Sequence, residues 1–94
     1  MEFAWDEEKA RSNLEKHEVS FDEAALVFDD PNRLIDLDDR FDYGEERLRV
    51  IGMSPDRLLT VICVEIDDAL TRIISARQAS VREEILYFSS WAGR

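Results

Sequence analysis

Two stretches of this chain carry cations that a small fold has little need of. One holds Lys9, Asn13 and Lys16, with His17 directly after; the other, far downstream, is Arg72-Ile73-Ile74-Ser75-Ala76-Arg77. On a helix, Lys9, Asn13 and Lys16 stand at i, i+4 and i+7, so two ammonium groups and an amide share one ridge while Ala10 and Leu14 take the neighbouring inward face. Such a ridge can grip phosphates, or it can be a solvated helix face on which Lys16 merely complements the dipole. His17 is suited either to proton transfer, the work for which imidazole is most often used, or to packing at the helix end with a ring nitrogen on a carbonyl.

The arginines are harder to explain by folding alone, because a guanidinium is costly to bury unpaired and strands beside a core offer few places for it. Arg47 and Arg49 share one face of a strand, and Arg72 projects from the middle of another. Arg77 follows Arg72 by five residues, which in a straight strand sends the two to opposite faces. Either a bulge intervenes or Arg77 lies past the strand end beside the next helix. Converging guanidiniums clamp a phosphate and the extra charge of a phosphoryl transition state. The alternative is that they form structural salt bridges with Glu45, Glu46 and Glu65.

The elements that must position these groups can be read in order. Phe3-Ala4-Trp5 is β-prone, and Asp6 is an N-cap with Glu7 and Glu8 in the first turn of a helix running to about Lys16-His17. Ser20-Phe21-Asp22-Glu23 has capping-box spacing and opens a second helix over about 21–28, stopped by Asp29-Asp30-Pro31. Strands follow at 34–37, 47–53, 58–66 and 70–76, separated by an acidic turn region around Gly44, by Ser54-Pro55-Asp56 and by Asp67-Asp68. The run from Leu58 to Ile66 is nearly all apolar, as a central strand covered on both faces would be. Ser80-Val81-Arg82-Glu83 is a second capping box, opening a helix to about Trp91 with Val81, Ile85 and Phe88 on one face. The order predicts one α+β domain, residues 1–94, with helices packed on a largely antiparallel sheet of about four strands.

Composition limits what that domain can be. Ninety-four residues allow one core, and the single Cys63 allows neither an intrachain disulfide nor a cysteine-based zinc site, which fits a reducing cytoplasm. No run reaches the length of a membrane span, and the N-terminus has no basic leader. The net charge of -10 argues against default nucleic-acid binding, yet it is local: residues 1–46 hold 16 acids against 5 bases, residues 47–94 hold 6 against 7. The acidic segment from Asp36 to Glu46 is a solvated face or a docking surface for a basic partner.

Taken together, Trp5-Asp6, Lys9, Asn13, Lys16-His17, Val19-Ser20-Phe21 and Glu23-Ala24, then Gly44-Glu45-Glu46-Arg47, then Arg72 to Arg77 with Ala79-Ser80 and Glu83, resemble the BrnT-type toxins of bacterial type II toxin–antitoxin systems. The likeness runs from Trp5 to Tyr87. It implies a RelE/ParE-like α+β fold with two N-terminal helices and one C-terminal helix. It also implies endoribonuclease activity without metal or other cofactor, and neutralisation by a BrnA-like ribbon-helix-helix antitoxin in a two-plus-two heterotetramer that reaches operator DNA only through the antitoxin. On that resemblance Arg72 and Arg77 stabilise the phosphate, Lys16 supplies charge or a proton, and Glu46 is the base. Lys9, His17, Arg47 and Tyr87 are supporting candidates. Glu18 stands where the family has glycine, at a turn expected to be left-handed. Two other readings predict different things: a catalytically weakened homologue that acts as the antitoxin's co-repressor, and a stand-alone binding module using the acidic segment.

Overall fold

The structure, a computed structural model, describes residues 1–40 and 42–93. Strand β1 (Glu2–Ala4) leads into helix α1 (Glu7–His17), whose N-cap Asp6 accepts hydrogen bonds from the Glu8 and Lys9 amides. Helix α2 (Phe21–Leu26) follows and tightens into a 3-10 turn (Val27–Asp29) before Pro31. Strands β2 (Leu34–Leu37), β3 (Leu48–Met53), β4 (Leu58–Glu65) and β5 (Leu70–Gln78) then form an antiparallel meander. Helix α3 (Val81–Ser89) closes the chain with a last 3-10 turn (Ser90–Gly93).

The sheet has five strands in the order β1-β5-β4-β3-β2, one more than expected. The extra one is β1, which returns to pair parallel with β5, Ala4 opposite Arg72, and makes the sheet mixed. Strand β4 is buried from Leu58 to Val64, as its unbroken apolar run requires of a central strand.

On one face Val50, Leu59, Val61, Cys63, Ile73 and Ala76 pack beneath α1 and α2, with Phe21, Ala24 and Val27 pointing down from the helical side. Gly52 lies where β3 passes under the 3-10 turn. A Cβ there would stand 2.7 Å from Val27 Cγ1. On the opposite face α3 covers one end only, where Tyr87 packs with Ile51, Leu58 and Ala79. Among the described residues the rest of that face carries no helix, and there Asp36, Arg49, Arg72 and Arg77 gather.

Helix α3 turns its apolar stripe away from the sheet. Val81, Ile85 and Phe88, read as sharing one face, are 70%, 61% and 48% exposed, and the helix buries Glu83 and Tyr87. Leu14 likewise points outward while Asn13, expected on the cationic ridge, is the buried residue of α1. No helix among the described residues is long and apolar enough to cross a membrane.

Candidate active site

The uncovered sheet face acquires its side chains by register. Asp36, Arg49, Ile62 and Ser75 stand in one row across β2 to β5; Thr60 and Arg77 stand side by side in the next row. Within β5 the pairing jumps from Cys63–Ile73 to Ile62–Ser75, so Ile74 is an extra, unpaired residue. That bulge resolves the odd spacing: with one residue taken out of the alternation, Arg72, Ser75 and Arg77 all belong to the open face.

Asp36, Arg49, Thr60, Ile62, Ser75 and Arg77, but not Arg72, floor a basin of about 650 Å³, walled on one side by Asp38, Asp39 and Arg40 after β2 and on the other by His17 at the end of α1. His17 is held there by Asn13, one turn earlier. Strand β1 pairs with β5 only as far as Arg72, and beyond that point the Asn13 amide takes a strand's place. Its Nδ2 donates to the carbonyls of Ala76 and Val19 at 2.7 and 2.9 Å, and its Oδ1 accepts from the Ala76 amide at 3.0 Å. The asparagine therefore ties α1 to the strand that bears Arg77 rather than contacting a ligand.

The candidates named from sequence are divided among three neighbouring surfaces. Arg77 and His17 line the basin, and His17 is exposed with no hydrogen bond to either ring nitrogen among the described residues, rather than packed on a carbonyl there. Lys9 and Lys16, both exposed, line a smaller groove of about 260 Å³ with Ser12, Ile74 and Ser75, continuous with the basin through His17 and Ser75. Glu46 is not brought to Arg77. It opens onto an acidic cleft of about 220 Å³ with Asp38, Asp42 and Glu45, alongside Arg47. Arg72 is engaged there too, its Nη2 donating to both Glu45 oxygens at 2.9 and 3.0 Å, while the Arg47 guanidinium stacks 3.8 Å over the Tyr43 ring. Tyr87 is buried under α3, and its hydroxyl donates to Asp30 Oδ2. Of the pairing partners expected for the arginines, Glu45 takes Arg47 and Arg72, whereas Arg49 pairs with Asp36 and Arg77 with Glu83, and no ion pair to Glu46 or Glu65 forms among the described residues.

The family model of the ribonuclease toxin BrnT of type II toxin–antitoxin systems matches residues 5–83, which takes in all three surfaces. The chain belongs to the BrnT toxin family. A crystal structure of the Brucella abortus ribonuclease toxin BrnT is similar to it, with 25% sequence identity and a TM-score of 0.64, covering 85% of this chain and 97% of that one. No functionally curated protein matches the chain. The α+β architecture of a five-strand mixed sheet and three helices is thus one this chain shares with BrnT, and membership of a type II system implies an antitoxin partner.

In this BrnT-family chain two site residues were given no catalytic or supporting role from sequence, Arg49, read only among the converging guanidiniums, and Glu83. Arg49 lies in the basin floor, its Nε and Nη2 donating to both oxygens of Asp36. Glu83 was legible as the third residue of a capping box, which does form with Ser80, and as a residue of the family resemblance, but not as a partner of Arg77. Its carboxylate is also the partner of Arg77, accepting from Nη1 at 2.6 Å and Nη2 at 2.9 Å, and lies 3.6 Å from Arg49 Nη1. Burial works to raise the Glu83 pKa, but the hydrogen bonds from Arg77 and from the Ser80 amide, with the charge of Arg77, outweigh it and hold the value at about 2. The residue is therefore an anion fixed beneath the basin. No group of three or more His, Cys, Asp or Glu side chains among the described residues is arranged to hold a metal ion.

Proposed function

We propose that the chain is a metal-independent endoribonuclease toxin that cleaves RNA in the basin on its open sheet face and is neutralised by a BrnA-like antitoxin. The observation that carries the reading is the convergence of Arg77 and Arg49 with His17 around one concave surface, produced by the Ile74 bulge and the Asn13 tie. Cleavage without a metal needs a base for the ribose 2′-OH, cations for the phosphorane, and an acid for the departing 5′-oxygen, leaving a 2′,3′-cyclic phosphate. Arg77 supplies the phosphate charge. His17 exchanges the proton, a part better suited to its place on the basin wall than to that of Glu46, which faces a different cleft. Lys16 and Lys9 hold the adjoining stretch of RNA in the groove that leads out of the basin. Arg72 and Arg47 take part once Glu45 is displaced from them.

A second reading has support in those ion pairs. With Arg72 held by Glu45 and Arg77 by Glu83, each phosphate-binding candidate is already partly neutralised, as in a weakened toxin that serves as co-repressor with the antitoxin. Inducible expression in bacteria separates the two. Growth arrest with loss of RNA integrity from the wild type, and neither from Arg77→Ala or His17→Ala at equal soluble level, is the outcome expected of the ribonuclease. Normal growth and intact RNA from the wild type reject it in favour of the co-repressor.

A further inference from the structure

The three strand arginines of the open face differ in which edge of the guanidinium they have left. Arg49 closes its side edge, Nε and Nη2, on Asp36. Arg72 spends Nη2 on Glu45. Arg77 alone binds its carboxylate end-on, through Nη1 and Nη2, with Nη1 also donating to the Gln78 carbonyl at 3.3 Å. Because guanidinium is planar with five N–H groups, this leaves Arg77 the Nε–H and one Nη2–H, a parallel pair of the kind that meets two phosphate oxygens. Arg77 lines the basin, and its Nε has no partner among the described residues.

What fixes that orientation is Glu83, 4% exposed and unable to touch a ligand itself. Its Oε1 accepts from both Arg77 Nη1 and the Ser80 amide, the latter at 2.9 Å, so the carboxylate that grips Arg77 is clamped to the first turn of α3. The same carboxylate lies between Arg77 and Arg49 and offsets the repulsion of two guanidiniums in adjacent rows. We infer that Glu83 is a positioning residue for RNA cleavage: by holding the end of the Arg77 fork from below, it turns the free side edge of that arginine toward the phosphate in the basin. The inference rests on the basin being the RNA site.

The test is a double-mutant cycle on a mixed-sequence single-stranded RNA, with the purified full chain in excess over substrate. Glu83→Gln keeps an oxygen for the Ser80 amide, hence the cap, and removes the charge that orients Arg77. It should lower the maximal cleavage rate about tenfold with little change in the protein concentration giving half that rate, the loss expected when a charge-assisted bond to the clamp is weakened. In an Arg77→Ala background the same substitution should change the rate less than about twofold, since its route to the substrate is gone. Equal losses in both backgrounds, or a wild-type rate for Glu83→Gln, overturn the proposal while leaving the basin in place. A wild-type rate for Arg77→Ala rejects the basin and the proposal together. Should Glu83→Gln fail to fold by thermal unfolding, Arg77→Lys keeps the charge and loses the side edge; full activity in that variant also overturns it.

Discussion

At Glu18 the backbone turns left-handed, with φ 58° and ψ 32°, the one described non-glycine residue at positive φ. The turn ends α1, its amide donating to the Leu14 carbonyl at 3.0 Å, and its own carbonyl accepts from Arg57 Nη2, so the conformation is fixed from both sides. An L-residue with a Cβ is disfavoured there by roughly 1–2 kcal/mol, part of which glycine returns through its looser unfolded chain. Glu18→Gly should therefore raise stability by about 1 kcal/mol in denaturant unfolding, and no gain would show that the Arg57 contact already relieves the strain. Glu83 supplies the pH counterpart. Its folded pKa of about 2 lies below the ordinary 4.5, so its contribution to stability is present above pH 4.5 and is lost as pH falls toward 2. That amounts to on the order of 3 kcal/mol, and Glu83→Gln should flatten the stability-versus-pH curve across this window. The Glu18 turn was foreseeable from the family resemblance, in which glycine follows the residues matched by Lys16-His17. The second role of Glu83 was not, because a capping-box glutamate looks complete in sequence and the approach of Arg77 depends on the strand's return to α3.

Elements were legible where the signal was local, and lost where two elements had to meet. The caps at Asp6 and Ser80 and the strand runs were read correctly, save that β5 continues to Gln78, and the odd Arg72–Arg77 spacing resolved to the bulge, one of its two readings. The Ser20 box formed by half: Ser20 accepts from the Glu23 amide, but the Glu23 carboxylate goes to Arg57 and Ser54. The apolar stripe of α3 showed amphipathicity and nothing about which side the sheet would claim, and the aromatic Tyr87 with its Asp30 bond anchored the other side. Parallel pairing of β1 depends on a contact between the first and fifth strands that no short-range pattern encodes. Two substitutions test how closely elements are joined. Asn13→Ala leaves the Ala76 amide and two carbonyls without their buried partner and should destabilise by at least about 2 kcal/mol, measured by chemical denaturation. Gly52→Ala forces a methyl against Val27 under the 3-10 turn and should cost about 1–3 kcal/mol. Loss of less than about 0.5 kcal/mol for either would mean that α1, or the 3-10 turn, can shift on the sheet.

Across the whole molecule the difficulty is how a chain of net charge -10 approaches RNA. Six of the acids, Asp36, Asp38, Asp39, Asp42, Glu45 and Glu46, line the acidic cleft and the β2 wall of the basin, while Lys9, Lys16, His17 and Arg77 line the side formed by α1 and β5, where α1 also carries Glu7, Glu8 and Glu15. Screening over about 8 Å at physiological salt confines each cluster's influence to its own neighbourhood, so on the proposed ribonuclease reading RNA would meet Lys9 and Lys16 in the groove rather than the acids of the loop that follows β2. Few cations then touch phosphate, and the salt dependence of binding should be shallow. With Arg77, Lys9 and Lys16 each meeting one phosphate while Arg47 and Arg72 stay paired with Glu45 in the bound ground state, log Kobs against log salt for a single strand should fall with a slope of about -2, at roughly -0.7 per contact. Lys9→Ala with Lys16→Ala should reduce that slope by about 1.4 and weaken binding alike for all sequences, since backbone contacts carry no base information. Fluorescence anisotropy of a labelled RNA across a salt series measures both. A slope unchanged in the double variant would place the RNA elsewhere, and a slope of the full size in Arg77→Ala would mean that the strand follows the α1 groove without entering the basin.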